Sequence, residues 1–217
     1  MPFWDRTIEL VVLTHPHADH ITGLIEVLDN YRVGQVLVLS SELDCDLPAC
    51  NEWLRLIEER GIACTTACAG QRIELDGVVI EVLNPPEQPF TGTDSDADNN
   101  SVVLYVSMDE VSFLLMGDLI WEGEFELITR RSIPECTVLK VAHHGSATST
   151  TAGLLALAHP QIAVISVGKD NDYGLPSNEV IQRLEEELGT ENIYRTDEDG
   201  TIEFITDGQR LWLEVGE

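Results

Sequence analysis

A chain of 217 residues with 43% hydrophobic and 24% charged residues has enough apolar material for one large domain or two small ones. Its net charge of −27 excludes a protein that holds nucleic acid by surface charge alone, since most of the surface repels phosphate. No stretch approaches the ~20 apolar residues of a membrane span, and the opening Met-Pro-Phe-Trp-Asp lacks the basic-then-apolar order of a signal peptide, so the chain as written is expected to be soluble.

In chain order, residues 8–13 are apolar and β-branched and read as a buried strand. The next residues, Leu13-Thr14-His15-Pro16-His17-Ala18-Asp19-His20, put three histidines and a carboxylate within six positions on a strand-to-helix turn. His15 and His17 are two apart, so an extended backbone points them the same way, while Asp19 and His20 follow on the turn and aim at a neighbouring point. Two nitrogens to one side, and an oxygen with a nitrogen to the other, suit a pair of adjacent divalent ions. A helix is expected over 22–31, a strand over 35–39, a helix over 48–60 closed by Gly61, and a strand over 62–66. This alternation argues for a layered α/β fold.

Strands 72–75 and 78–83 flank Asp76-Gly77, a hairpin signal. Residues 84–100 read as a loop ending in Asp94-Ser95-Asp96-Ala97-Asp98-Asn99-Asn100. That run lacks the glycine and the glutamate of a calcium-binding EF-hand loop. Strands follow at 101–106 and 111–116, the second ending in Gly117-Asp118, where a buried-strand carboxylate is a poor structural choice and a good ligand position. After a helix over 121–131, the strand 137–141 ends in Ala142-His143-His144-Gly145-Ser146 and repeats the pattern of a histidine at a strand tip. A helix over 152–157, a strand over 162–167, a helix over 177–188 capped by Ser177, and strands over 193–195, 201–205 and 210–215 complete the chain. His159, alone before Pro160, reads as structural or surface. Of the five cysteines, Cys45 and Cys50 can pair with each other or with Cys64 and Cys68, and no C-x-x-C zinc spacing is present. The clusters at 15–20, 94–100, 118 and 143–144 all lie at strand ends and converge on one expected mouth.

The ordered set His15-x-His17-x-Asp19-His20, Gly117-Asp118 and His143-His144-Gly145-Ser146 resembles the metallo-β-lactamase fold, an αββα sandwich. Leu-Thr-His-Pro-His-Ala-Asp-His, Asn-Asn-Ser-Val-Val-Leu, Leu-Leu-Met-Gly-Asp, Leu-Lys-Val-Ala-His-His-Gly-Ser and the tail from Tyr194 are similar to the β-lactamase-like C-terminal domain of the DNA-uptake protein family ComEC. The resemblance covers residues 1–217 as one domain, and it implies a di-metal hydrolase of phosphodiesters, nuclease-like and associated with DNA uptake and competence. Its implied substrate is a phosphodiester such as single-stranded DNA. Other hydrolases of the fold (esterase, lactonase, lactamase) and a non-catalytic fragment are the competing readings.

Carried over residue by residue, His15 and His17 would bind one metal, Asp19 and His20 the second, and Asp118 would bridge. His144 would be the distal ligand, with His143 beside it for proton transfer, and Asp19 would orient the water nucleophile. No loop histidine completes the first site, so Asn99, Asn100 or Asp98 would stand in, and Asn99, Asn100 and Ser146 are candidates for the first metal or the substrate. An oxygen-rich first site favours manganese over zinc. Two departures stand out. The strands that normally precede the histidine motif are absent before residue 12, which suggests a piece of a longer protein whose membrane channel would be its partner, with this domain facing outward. The family's Gly-His-Pro is here Gly174-Leu175-Pro176.

Overall fold

The computed structural model of the protein describes residues 5–39 and 47–216. Strand β1 (Thr7–Leu13) leads into helix α1 (Ala18–Asn30), followed by β2 (Arg32–Val38), α2 (Pro48–Arg60) and β3 (Ala63–Thr66). These strands form a parallel sheet in the order β1-β2-β3. Then come β4 (Arg72–Leu75), β5 (Val78–Asn84), the single-turn helix α3 (Asp96–Asn99), β6 (Val103–Met108), β7 (Val111–Leu115) and α4 (Trp121–Thr129). The chain continues through β8 (Val138–Lys140), α5 (Ala152–Ala158), β9 (Ile162–Ile165), α6 (Asn178–Leu188), β10 (Ile193–Arg195) and α7 (Thr196–Asp199). Strands β4 to β10 make a seven-stranded sheet in the order β10-β9-β8-β7-β6-β5-β4, and β11 (Thr201–Thr206) pairs with β12 (Leu211–Gly216) as an antiparallel hairpin.

Three apolar layers define an αββα sandwich. In the outer layer on the small sheet, Val11, Leu13, Val36 and Val38 pack with Ile21 and Leu28 of α1 and Trp53 and Leu56 of α2. Between the sheets lie Leu10, Val12 and Leu37 from one side and Val82, Val102, Leu104 and Leu115 from the other. Beyond the large sheet, Leu114, Leu139 and Ala163 meet Leu127 of α4, Leu155 of α5 and Val180 and Leu184 of α6. Successive residues of β1, β2, β6 and β7 point to opposite layers, which is why these strands are apolar on both faces.

Most expected elements are present, with three differences. Helix α1 begins at Ala18, before the expected residue 22, because the His17 carbonyl accepts from the His20 and Ile21 amides at 3.0 Å each. Asp19 and His20 are therefore in the first helical turn, where the positive end of the helix favours a carboxylate. The acidic run is not all loop: Ser95 caps α3 by accepting from the Asp98 amide at 3.3 Å. Thr196–Asp199 forms a turn of helix before the Asp199-Gly200 corner. Gly61 closes α2 in the left-handed conformation (φ 62°), and Ser177 caps α6 through the Val180 amide, both as the sequence predicts.

Cys64, Cys68 and Cys136 are free thiols, so the pairing of Cys45 or Cys50 with Cys64 or Cys68 is not made, and Cys45 lies outside the described residues. Among the described residues, no helix is long and apolar enough to cross a membrane.

Leu37 is fully buried between the two sheets. Leu37→Ala is expected to lower the unfolding free energy by about 2–5 kcal/mol, measured by urea denaturation.

Candidate metal centre

Parallel pairing of β7, β8 and β9 puts their C-terminal ends at one edge of the large sheet. Residues just past these ends carry the chemistry: Gly117-Asp118 after β7, His143-His144 after β8 and Ser166 after β9. The small sheet reaches the same edge through the tip of β1, where the Thr14 carbonyl accepts from the Val102 amide at 3.0 Å. Gly117 has φ +55°, and a Cβ there would lie 3.0 Å from Ser101 Cβ and 3.4 Å from Thr14 Cβ. Glycine lets the two sheets close at this point without displacing Ser101 and adopts this φ without strain.

Three overlapping groups of ligand atoms result. Asp19, His20, Asp118 and His144 form one, His15, His17 and Asp98 a second, and Asp98, Asp118 and His143 a third, with the ligand atoms of each group within 4.8 Å of one another. Asp118 Oδ2 lies 3.7 Å from His15 Nε2, 3.3 Å from His20 Nε2, 3.5 Å from His144 Nε2 and 4.0 Å from His143 Nε2. Asp98 Oδ1 lies 3.3 Å from His17 Nδ1 and 3.8 Å from His15 Nε2. Asp19 is exposed and sets Oδ2 3.2 Å from His144 Nε2.

The outer edges of the imidazoles are held by protein oxygens. Thr14 Oγ1 contacts His15 Nδ1 at 3.1 Å and His20 Nδ1 at 3.3 Å. Ser101 Oγ accepts from the Asp118 amide at 3.2 Å and contacts His15 Nδ1 at 3.3 Å. His144 Nδ1 donates to the Ser166 carbonyl at 2.7 Å; a carbonyl only accepts, so this bond fixes the tautomer and leaves the Nε2 lone pair facing inward. The inner atoms His15 Nε2, His20 Nε2, His144 Nε2, Asp98 Oδ1 and Asp118 Oδ1 are buried without hydrogen-bond partners. Buried polar atoms are ordinarily paired, and this convergent set of lone pairs suits divalent cations.

Titration behaviour follows the same geometry. Burial, reinforced by the neighbouring His20, pushes the His15 imidazole down to about 3. Burial alone would raise the Asp118 carboxyl, but its pairing with His144 and His20 and the charge of His15 hold it well below the usual carboxylate range. Its contact with Asp118 raises the His144 pKa against the opposing effect of burial.

All seven residues of the histidine and aspartate motifs come together here. Asn99, Asn100 and Ser146 make other hydrogen bonds in this structure. Asn99 donates to Glu122 at 2.6 Å and accepts from the Gly123 amide, so its amide group is spent on α4. Asn100 closes the preceding loop through the Phe90 amide and carbonyl. Ser146 Oγ is bonded to Thr148 Oγ1 at 2.9 Å. Asp98 is the acidic-run residue that reaches the histidines. His159 lies apart, at the C-terminal end of α5, 3.4 Å from Glu187. The sequence reading missed the orienting hydroxyls of Thr14 and Ser101, although both directly adjoin motifs it used.

His143, His144 and Gly145 all have positive φ (48°, 54° and 82°). A Cβ on Gly145 would sit 2.6 Å from Pro176 Cβ. The following loop is braced from two sides. Buried Glu124 of α4 accepts from the Thr150 and Thr151 amides. Arg183 of α6 donates to the Ser149 and Thr150 carbonyls at 2.9 and 2.6 Å.

The unfolded His15 side chain takes up a proton below pH ~6.5, whereas in the folded chain it does so only near pH 3. Between these values the unfolded state binds more protons, so acid lowers stability, by up to ~1.4 kcal/mol per pH unit. The metal-free chain should lose stability from pH 6.5 downward, and His15→Gln should flatten that slope in urea midpoints measured with a chelator present. Parallel slopes would contradict the assignment.

Comparison with known proteins agrees with this architecture. Residues 5–43 match the family model described as the metallo-beta-lactamase superfamily. The chain is 32% identical over 199 residues to ComE operon protein 3 of Bacillus subtilis (92% of this chain, 25% of that protein). It is 30% identical over 187 residues to Recombination protein 2 of Haemophilus influenzae (85% of this chain, 21% of that protein). It thus spans about a quarter of the length of these relatives. Among solved structures, CmlA, a diiron β-hydroxylase from Streptomyces venezuelae, superposes with a TM-score of 0.61 at 13% identity, over 88% of this chain and 44% of that one. The metallo-beta-lactamase fold protein YhfI from Bacillus subtilis superposes with a TM-score of 0.53 at 8% identity, over 95% and 78%. The chain is thus a metallo-β-lactamase-fold domain, similar over most of its length to one portion of the ComEC-type competence proteins.

Proposed function

We propose that the chain is a phosphodiesterase dependent on two divalent cations, nuclease-like, and that its substrate is single-stranded DNA handled during uptake. The observation that carries the reading is Asp118, whose Oδ2 lies 3.3 Å from His20 Nε2 and 3.5 Å from His144 Nε2 on one side and 3.7 Å from His15 Nε2 on the other. In this assignment His15, His17 and Asp98 would hold one ion, Asp19, His20 and His144 would hold the other, and Asp118 would serve both. The oxygen donors Asp98 and Asp118 favour manganese over zinc on the first side. Two cations bound there supply Lewis-acid polarisation of the phosphoryl group and a water acidified to near-neutral pKa.

The chain's own residues do the rest. Asp19, exposed at the mouth, accepts a hydrogen bond from the attacking water and aligns it with phosphorus. His143, half-buried on the Asp98 side, passes a proton to the departing oxygen in this reading. The surface charge of −27 keeps polyphosphate away from the rest of the molecule, so contact with the substrate's backbone is confined to this mouth. The link to DNA rests on the relatives, which are named as competence and recombination proteins. In the same reading the domain faces outward beside a membrane channel formed by the part of such proteins that this chain does not span.

The test is metal content of the purified chain, together with cleavage of single-stranded DNA and of a generic phosphodiester in manganese. Near-stoichiometric metal and cleavage, both lost in Asp118→Ala, are the expected result. Bound metal without phosphodiester cleavage would overturn the reading and direct the search to esters and lactones. Ser101→Ala, which removes the hydroxyl holding both His15 and the Asp118 amide, should weaken metal affinity by about 10–100-fold in a competition titration while leaving the fold intact.

A further inference from the structure

Directly beside His144 and Asp19 the structure has an open cavity of about 370 Å³. Apart from these two residues its walls carry no charge: Ser166, Val167, Gly168, Asn171, Tyr173 and Leu175 complete the lining. Leu175 packs its inner side on the core of the large sheet, so this wall is fixed and apolar. Tyr173 is 87% exposed, the most exposed of the large apolar side chains among the described residues. An aromatic ring left in water costs free energy, and a single tyrosine at the rim of a functional cleft is a common means of contacting a ligand.

The loop that carries Tyr173 is pre-shaped. Asn171 Nδ2 donates to the Gly168 carbonyl at 3.0 Å and to the Leu175 carbonyl at 2.7 Å. Asn171 Oδ1 accepts from the Leu175 amide at 3.0 Å. One side chain thus ties both ends of the loop together. At its root, Thr196 Oγ1 is bonded to both the amide and the carbonyl of Val167 at 2.8 Å. The ring is presented by a closed loop, so little ordering is needed when a ligand meets it.

We propose that Tyr173 is a stacking platform for an unpaired nucleobase of the nucleotide next to the scissile phosphate, with Val167 and Leu175 as the apolar floor. The proposal rests on the phosphodiesterase reading and names the recognition element of the same site. A chain of net charge −27 has little cationic surface with which to follow a phosphate backbone. It must draw affinity from the uncharged part of the polymer, and every base offers a π-face whatever its identity. A base in a duplex has both faces covered, so the platform selects single strands.

Fluorescence anisotropy in calcium, comparing a labelled oligothymidylate with an abasic oligomer of equal length, tests this. The full chain should prefer the oligothymidylate. Stacking of one base accounts for about a 5- to 150-fold difference in affinity. Tyr173→Ala should remove most of that ratio, and Tyr173→Phe, which keeps the ring, should retain it. Equal binding of the two oligomers by the unaltered chain, or an unchanged ratio in Tyr173→Ala, would overturn the proposal. Cleavage of a base-free phosphodiester, followed in parallel, reports on the metal centre alone. If that ester is not cleaved but the ratio and its loss in Tyr173→Ala persist, the phosphodiesterase reading fails and Tyr173 remains a base-binding residue.

Discussion

The carboxylate of Asp118 is 2% exposed and faces four imidazoles within 4.0 Å. A buried charge of this kind is costly unless opposite charge or a cation compensates it. Much of the surrounding architecture follows from that requirement. Gly117 lets the backbone turn, Ser101 fixes the amide that follows, and Thr14 holds the outer edges of two histidines whose Nε2 atoms face inward. The positive φ values at His143, His144 and Gly145 cost of order 1–3 kcal/mol at each non-glycine position. They persist because the His143 amide donates to the Gly117 carbonyl and the Gly145 carbonyl accepts from the Ser177 amide, while Glu124 and Arg183 brace the loop that follows.

The candidate centre was legible in the sequence wherever a histidine or carboxylate follows directly on an apolar strand. His15 to His20, Asp118 and the His143-His144 pair all stand at such tips, and the strand pattern alone points them toward one edge. The layered fold was legible for a related reason: strands buried on both faces are apolar throughout, and the helices between them keep one apolar side.

The acidic run was legible only in part. Three aspartates and two asparagines within seven residues offer no periodicity to choose among them. The choice is made by a single turn of helix capped by Ser95, which turns Asp98 inward while Asp96 caps the preceding loop and Asn99 and Asn100 bond to α4 and to Phe90. The orienting hydroxyls were hidden for a different reason. Thr14 and Ser101 acquire their roles from contact between the two sheets, and no local pattern encodes that contact. The early start of α1 escaped because His17 caps it through its backbone carbonyl, without the side-chain signal that marks most helix starts.

The candidate ligand set is divided between the two sheets. His15, His17 and His20 come from the tip of β1 and the first turn of α1, while Asp98, Asp118 and His144 come from the connections of the large sheet. A cation gripped from both sides would therefore be a cross-link as well as a reagent, closing a long loop of chain between His20 and Asp118 in the manner of a covalent clip. Binding would be inseparable from the cohesion of the sandwich, and the occupied protein would be more stable in proportion to the logarithm of free-cation concentration. Sequestering the ion would then loosen the seam between the sheets, so ion supply would govern how long the folded chain survives as well as what it can do.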